Sequence, residues 1–377
     1  MQAVGIQAIA VYLPDGVRTN AWWCEETPPA QDTEPSVITS KPSDSSRRRR
    51  LNLYDAAIER YLEDPFFGSV ERRVVANNEG SVELGIEAAR RVLDAAGVSP
   101  NEVDCLISVS MFPDRIGSGD AAYLAQSLGT GGGAFNVEAT CGGSMSGLLT
   151  ACAWVQAGLK ERILVVTTSR LSRAIESDDV TLRLCGDASA AFLVGPVDSG
   201  FGLLGAESLH TGKTCGTWLL DAVEDISGVT FERQKIRLRV DPSISHVLRA
   251  TAEEYLVQTT EGALAKAGLE LKDIDFVVVN TPTAWHAEFS ANVLGIEPDR
   301  IVDTFPQVAN IGPALMPFNA YTAAAGGHIK PGDTVLLYGF GGQAEASAAI
   351  FRWSDVILAP SPKEASVINP TTRSEHL

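Results

Sequence analysis

Apolar positions recur at helical spacing between Val82 and Ala96 and predict an amphipathic helix. An unbroken apolar run follows at Cys105–Val109, as expected of a strand buried on both faces. A helix is predicted over Ala121–Leu128 and a short strand over Ala134–Glu138. An apolar helix then begins near Cys141, and a strand covers Ile163–Thr167. Near-continuous apolar strands separated by helices predict mixed, largely parallel sheets with helices on both faces.

The pattern occurs twice. AAGVSPNEVDCLISVS, from Ala95 to Ser110, resembles KAGLELKDIDFVVVN, from Lys266 to Asn280. Gly97 aligns with Gly268 and Asp104 with Asp275, both at an offset of 171 residues. The same offset carries ILVVTTS (from Ile163) onto TVLLYGF (from Thr334) and sets Cys141 opposite Gly312. One offset joining three separate patterns marks a tandem repeat of an α/β unit of roughly 170 residues. Two such halves packed together give an α/β fold in five layers, α/β/α/β/α. The halves are expected at 1–199 and 200–356. A Pro-, Ser- and charge-rich stretch at about 25–50 reads as a flexible insertion, and 357–377 as a disordered tail.

Composition narrows the function classes. With 377 residues the chain can bury a large core, and its apolar share of 45% is that of a globular protein. No apolar run reaches the roughly 20 residues of a bilayer span, and the N-terminus lacks a basic leader, so a cytoplasmic protein is expected. A net charge of -17 opposes nucleic-acid binding as the main role; the one basic run, Arg47–Arg50, reads as a solvated loop. The six cysteines show no CxxC pair and no Cys/His spacing suited to zinc, so no metal is expected.

Cys141 is the candidate nucleophile. It lies where a short strand gives way to an apolar helix, and helix N-termini present unpaired N–H groups that favour a thiolate. Gly142 and Gly143 clear space beside the sulfur, and the backbone N–H of Cys141 can serve as an oxyanion donor. The alternative at this stage is a buried structural cysteine, as read for Cys152 on the same helix. The run YGFGGQAEASAAIF, whose Gly341–Gly342 turn can aim a second amide at the same carbonyl, favours the catalytic reading.

At these residues the chain resembles the thiolase superfamily, and within it the ketoacyl-ACP synthase III type. TCGGSMSG resembles the nucleophile motif, CGDASAAFLVG the family's GDGAGA strand and YGFGGQAEASAAIFRW its glycine-rich end. YLPDGVRTN and ERRVVANNEGSVELGIEAARRVLDAAGV resemble its opening segments. The likeness covers nearly the whole chain outside the insertion and the tail.

The resemblance implies a thiolase-like fold and a homodimer. It implies Cys141 as the acylated nucleophile, Cys141 and Gly342 amides as the oxyanion hole, and an acyl-CoA or acyl-carrier-protein donor, with no cofactor beyond that substrate. Asn310, in ANIGPALMP, takes the place of the family's Asn. The family's catalytic His falls on Asn280, whose spacing of 30 residues to Asn310 fits without a gap. His286, six residues on, is the candidate displaced base if a helix begins near Pro282, and Trp285 stands where the family has a basic residue that helps bind the donor. His210 is a weaker candidate base. Because an Asn cannot exchange a proton near neutral pH, transfer of the acyl group to a small molecule or carrier acceptor, of the kind found in secondary metabolism, is expected first. Decarboxylative condensation is the alternative, followed by a non-catalytic partner subunit and a thiol-dependent hydrolase.

Overall fold

The computed structural model describes residues 2–24, 52–115, 117–175, 179–223, 235–342 and 345–368. The expected insertion at 25–50, with Arg47–Arg50, lies outside the described residues.

The first half runs β1 (Val4–Tyr12), β2 (Gly16–Thr19), α1 (Ala21–Cys24), α2 (Leu53–Ile58), β3 (Glu71–Val74), α3 (Ser81–Ala96), β4 (Cys105–Ser110) and α4 (Ala121–Leu128). It continues with β5 (Gly133–Asn136), α5 (Gly143–Gln156), β6 (Ile163–Arg170) and β7 (Asp187–Pro196). The second half has β8 (Gly202–His210), the hairpin β9 (Trp218–Val223) and β10 (Lys235–Val240), α6 (Ile244–Ala267), β11 (Phe276–Val279) and α7 (His286–Leu294). After these come α8 (Phe305–Val308), α9 (Leu315–Ala325), β12 (Thr334–Phe340) and β13 (Glu345–Arg352). Two short strands, β14 (Ile357–Leu358) and β15 (Ser366–Val367), close the described chain.

The main sheets carry the repeat. The order β1-β7-β6-β4 in one, with β14 added outside β1 and β5 outside β4, matches β8-β13-β12-β11 in the other. The paired positions do matching work. Gly97 and Gly268 both end helices in the left-handed region, at φ 64° and 68°, where a side chain would be strained. The Asp104 carboxylate accepts the Arg162 N–H at 2.9 Å, and that of Asp275 accepts the Thr334 N–H at 2.7 Å. Each therefore pins the start of one central strand to its neighbour.

Helix α3 turns Leu84, Ala88, Ala89, Val92 and Leu93 onto the outer face of the first sheet, where α4 joins it. Helices α6 and α7 cover the outer face of the second. Between the sheets lie α5 and α9, apolar on all sides, with Met145, Leu148, Leu315 and Met316 fully buried. The five-layer α/β/α/β/α expectation holds.

Two expectations are corrected. Parallel pairing is confined to β4–β5, β4–β6 and β11–β12 among the long strands, while β7 and β13 run antiparallel to both neighbours. A strand buried on both faces reads as a continuous apolar run whichever way it points, so the pattern carries no direction. The tail, expected to be disordered over 357–377, carries two short strands within 357–368, and 369–377 lie outside the described residues. There β14 pairs with β1 and β15 with β2, and the Tyr321 hydroxyl donates to the Ala359 carbonyl at 2.8 Å.

Gly312 stands opposite Cys141 in the repeat and turns the chain at φ 54°. A Cβ there would come within 2.9 Å of Met111 Sδ and 3.0 Å of Ser169 Oγ. Gly312→Ala is therefore expected to destabilise the fold by about 1–3 kcal/mol. Urea unfolding should show a lower midpoint with an unchanged slope.

Candidate active site

The second sheet's glycine-rich end meets the Cys141 turn backbone to backbone. Thr140–Gly142 form a single 3-10 turn ahead of α5, with Thr140 held at φ 46°. A Cβ on Gly142 would lie 2.8 Å from the Gly341 nitrogen, and one on Gly341 would lie 2.6 Å from the Ala139 carbonyl oxygen. Only glycine at both positions allows this approach. The Gly341 N–H donates to the Glu345 carbonyl at 2.8 Å, and the Thr211 hydroxyl donates to the Gly341 carbonyl at 2.8 Å. Gly342 next in line is unencumbered and lines the same cavity as Cys141.

That cavity brings together Cys141, Asn280, Asn310 and Gly342. Cys141 as a residue is half-buried, and its sulfur lies 3.8 Å from Met111 Sδ. Asn310 is 3% exposed, and its side-chain oxygen accepts the Gly312 N–H at 2.9 Å. Its amide nitrogen is thereby left as the group to present to a ligand. Ala309 just before it sits at φ 57°, so a left-handed non-glycine residue precedes both Cys141 and Asn310. Strain of this kind persists only where the surroundings enforce it.

Asn280 follows the last residue of β11 and is 1% exposed. Its oxygen accepts the Phe340 N–H at 3.0 Å and its amide nitrogen donates to the Phe340 carbonyl at 3.2 Å. One N–H of that amide remains for the cavity.

The other walls are apolar or hydroxylic. Tyr54 comes from α2, Trp218 from β9, Ile244 and Leu248 from α6, and Thr283 and Trp285 from the loop before α7. Apart from Trp285, singled out above by its place in the motif, these residues left no mark in the sequence, because they reach the cavity one or two at a time from separate elements. Trp22 and Trp23 pack off the cavity, buried in a cluster with Phe66 and Leu171.

His286 does not join the site. Helix α7 begins at His286 itself rather than near Pro282, so the preceding loop supplies the wall through Thr283 and Trp285. The imidazole packs 5.9 Å from the Phe289 ring, and burial pushes its pKa down to about 4. His210 also lies off the cavity; its ring accepts the Gly212 N–H at 3.0 Å. Among the described residues, the cavity lining contains no Asp, Glu, His, Lys or Arg.

The thiol differs from the expectation. Burial pushes the Cys141 pKa up to about 12, against the pull of a backbone hydrogen bond. Desolvation, with no cation in the lining among the described residues, favours the neutral thiol over the thiolate expected from the helix start. Burial likewise raises the Tyr54 hydroxyl to about 12.

Comparison with known proteins agrees with the geometry. Residues 135–212 match the 3-oxoacyl-[acyl-carrier-protein] synthase III family, and residues 264–353 match its C-terminal region. The chain is 30% identical over 293 residues to the beta-ketoacyl-[acyl-carrier-protein] synthase III of Laribacter hongkongensis, covering 77% of this chain and 88% of that one. It is 26% identical over 356 residues to the corresponding enzyme of Desulfitobacterium hafniense, covering 94% and 99%. The crystal structure of the synthase III (FabH) of Thermus thermophilus superposes with a TM-score of 0.75 at 26% identity, over 93% of this chain and 99% of that one. With its duplicated five-layer body and a cysteine at the junction of the two glycine turns, the chain belongs to the ketoacyl-ACP synthase III family of the thiolase superfamily.

Proposed function

We propose that this acyltransferase loads an acyl group onto Cys141 and extends it by decarboxylative condensation with a malonyl-type thioester. The observation that carries the reading is a cavity that holds a nucleophile and amide donors and, among the described residues, no base. In the first step Cys141 sulfur attacks the donor thioester, and its proton ends on the departing thiol. The Cys141 and Gly342 N–H groups receive the oxyanion. In the second step the malonyl carboxylate leaves as carbon dioxide, and the electron pair of the broken C–C bond forms an enolate. The Asn310 amide and the free N–H of Asn280 donate to the enolate oxygen. Its carbon attacks the acyl group, Cys141 leaves as a thiolate, and solvent restores the proton. No step requires a side chain to take up a proton.

Transfer to a hydroxyl or amine acceptor, the first expectation from the sequence, needs a base within hydrogen-bond reach of that acceptor. His286 was its candidate and stands off the cavity. The balance therefore moves to condensation, whose 3-oxoacyl product fits the relatives' name of beta-ketoacyl-[acyl-carrier-protein] synthase III. An acyl-CoA or acyl-carrier-protein thioester is the proposed donor. The proposed homodimer is supported by β5, an edge strand of the first sheet whose residues are all at least partly exposed.

Two measurements follow. The chain given an acyl-CoA and malonyl thioester should release carbon dioxide in step with 3-oxoacyl product, and Asn310→Leu should cut that release by about 100-fold while the chain still acylates. Acyl transfer to an alcohol or amine without carbon dioxide release would contradict the reading. The pH profile of acylation is set by the raised thiol. Below its pKa the thiolate fraction grows tenfold per unit, so the rate should climb about tenfold per pH unit from 6 to 9. A plateau starting near pH 7 would mean that the thiol ionises in the ordinary range or below.

A further inference from the structure

Asn280 makes contacts that its position in the condensation step does not require. The β11–β12 ladder ends with Val279 beside Tyr338, and the Asn280 N–H still reaches the Tyr338 carbonyl at 3.2 Å. There the backbone turns away toward Pro282. The ladder continues through the side chain, whose oxygen and nitrogen engage the N–H and carbonyl of Phe340. A carboxamide is chemically a peptide unit, with an acceptor and a donor on one carbon, so it can substitute for the next backbone group. A neutral imidazole also has one acceptor and one donor, but they diverge across a ring and do not face a single residue in this way.

Phe340 is the last residue of β12 and leads directly into Gly341 and Gly342. Besides the backbone bond from the Gly341 N–H to Glu345, the turn that carries the oxyanion donor is therefore tied by two side chains, Asn280 at Phe340 and Thr211 at Gly341. Both ties are buried, where an unmade hydrogen bond costs most. We infer that Asn280 is a positioning residue for the oxyanion hole, holding the Phe340–Gly342 segment against Cys141, in addition to facing the condensation step. It rests on the acyl-enzyme reading above and adds a dependence that reading lacks. A residue that serves only the enolate leaves acylation untouched, whereas one that holds the oxyanion turn governs acylation too.

The test is the rate of Cys141 acylation alone, followed by intact mass with octanoyl-CoA as probe and no malonyl thioester present. Asn280→Asp keeps the acceptor to the Phe340 N–H but loses the donor and sets a carboxylate oxygen against a carbonyl. Thr211→Val removes the second tie from outside the cavity. Both variants should slow acylation at saturating donor by about tenfold or more, with the half-saturating concentration changed less than threefold. The split identifies lost transition-state stabilisation rather than a lost binding contact. Acylation by Asn280→Asp within twofold of wild type, with condensation reduced, would overturn the inference. If Asn280→Asp fails to fold by circular dichroism, Thr211→Val decides: unimpaired acylation there overturns the inference as well. A wild-type chain that never gains the acyl mass would instead overturn the acyl-enzyme reading on which the inference rests.

Discussion

Everything at this site depends on two backbone turns, one from each half of the repeat, approaching closer than any side chain permits. Gly142 and Gly341 meet with less space between them than a Cβ requires. Their contact joins the start of α5 to the end of β12 and so aligns a thiol from one half with an amide from the other. Neither half could form the proposed oxyanion hole by itself. The duplication therefore has chemical content: the second half supplies no counterpart of Cys141, since Gly312 stands there, but it supplies Gly342, Asn280 and Asn310.

The cavity lining is mostly apolar and without charge among the described residues, and that one property shapes the chemistry. Burial of the sulfur raises its pKa and favours the neutral thiol. The same low polarity strengthens each N–H directed at a developing negative oxygen. It also suits loss of carbon dioxide, which exchanges a compact carboxylate charge for an enolate that fixed amides can hold. Replacing an imidazole by the Asn280 carboxamide fits this regime. The site gives up proton exchange and gains a rigid tie between strands.

Much of the fold was legible because it is written in periodicity. The 171-residue offset located both halves, and the caps Gly97 and Gly268 and the strand anchors Asp104 and Asp275 fell into register. Strand direction and the ordered residues 357–368 were not legible, since an apolar run has no polarity and a polar tail can still pair at a sheet edge. Within the site, Cys141, Gly342 and Asn310 stand in recognisable motifs. Tyr54, Trp218 and Leu248 do not, because they reach the cavity from elements with no local signature. The misplacement of His286 has a simple cause. Sequence distance to Asn280 suggested proximity, but the turn ahead of α7 carries the imidazole onto Phe289.

The central claim is that Cys141 itself carries the substrate as a thioester. It is tested most directly by incubating the chain with an acyl-CoA, quenching in acid and mapping the peptide that gains mass. One acyl group per chain, located on the peptide containing Cys141 and absent from Cys141→Ala, is the result the account predicts. Modification of another residue, or an unchanged gain in Cys141→Ala, would contradict it.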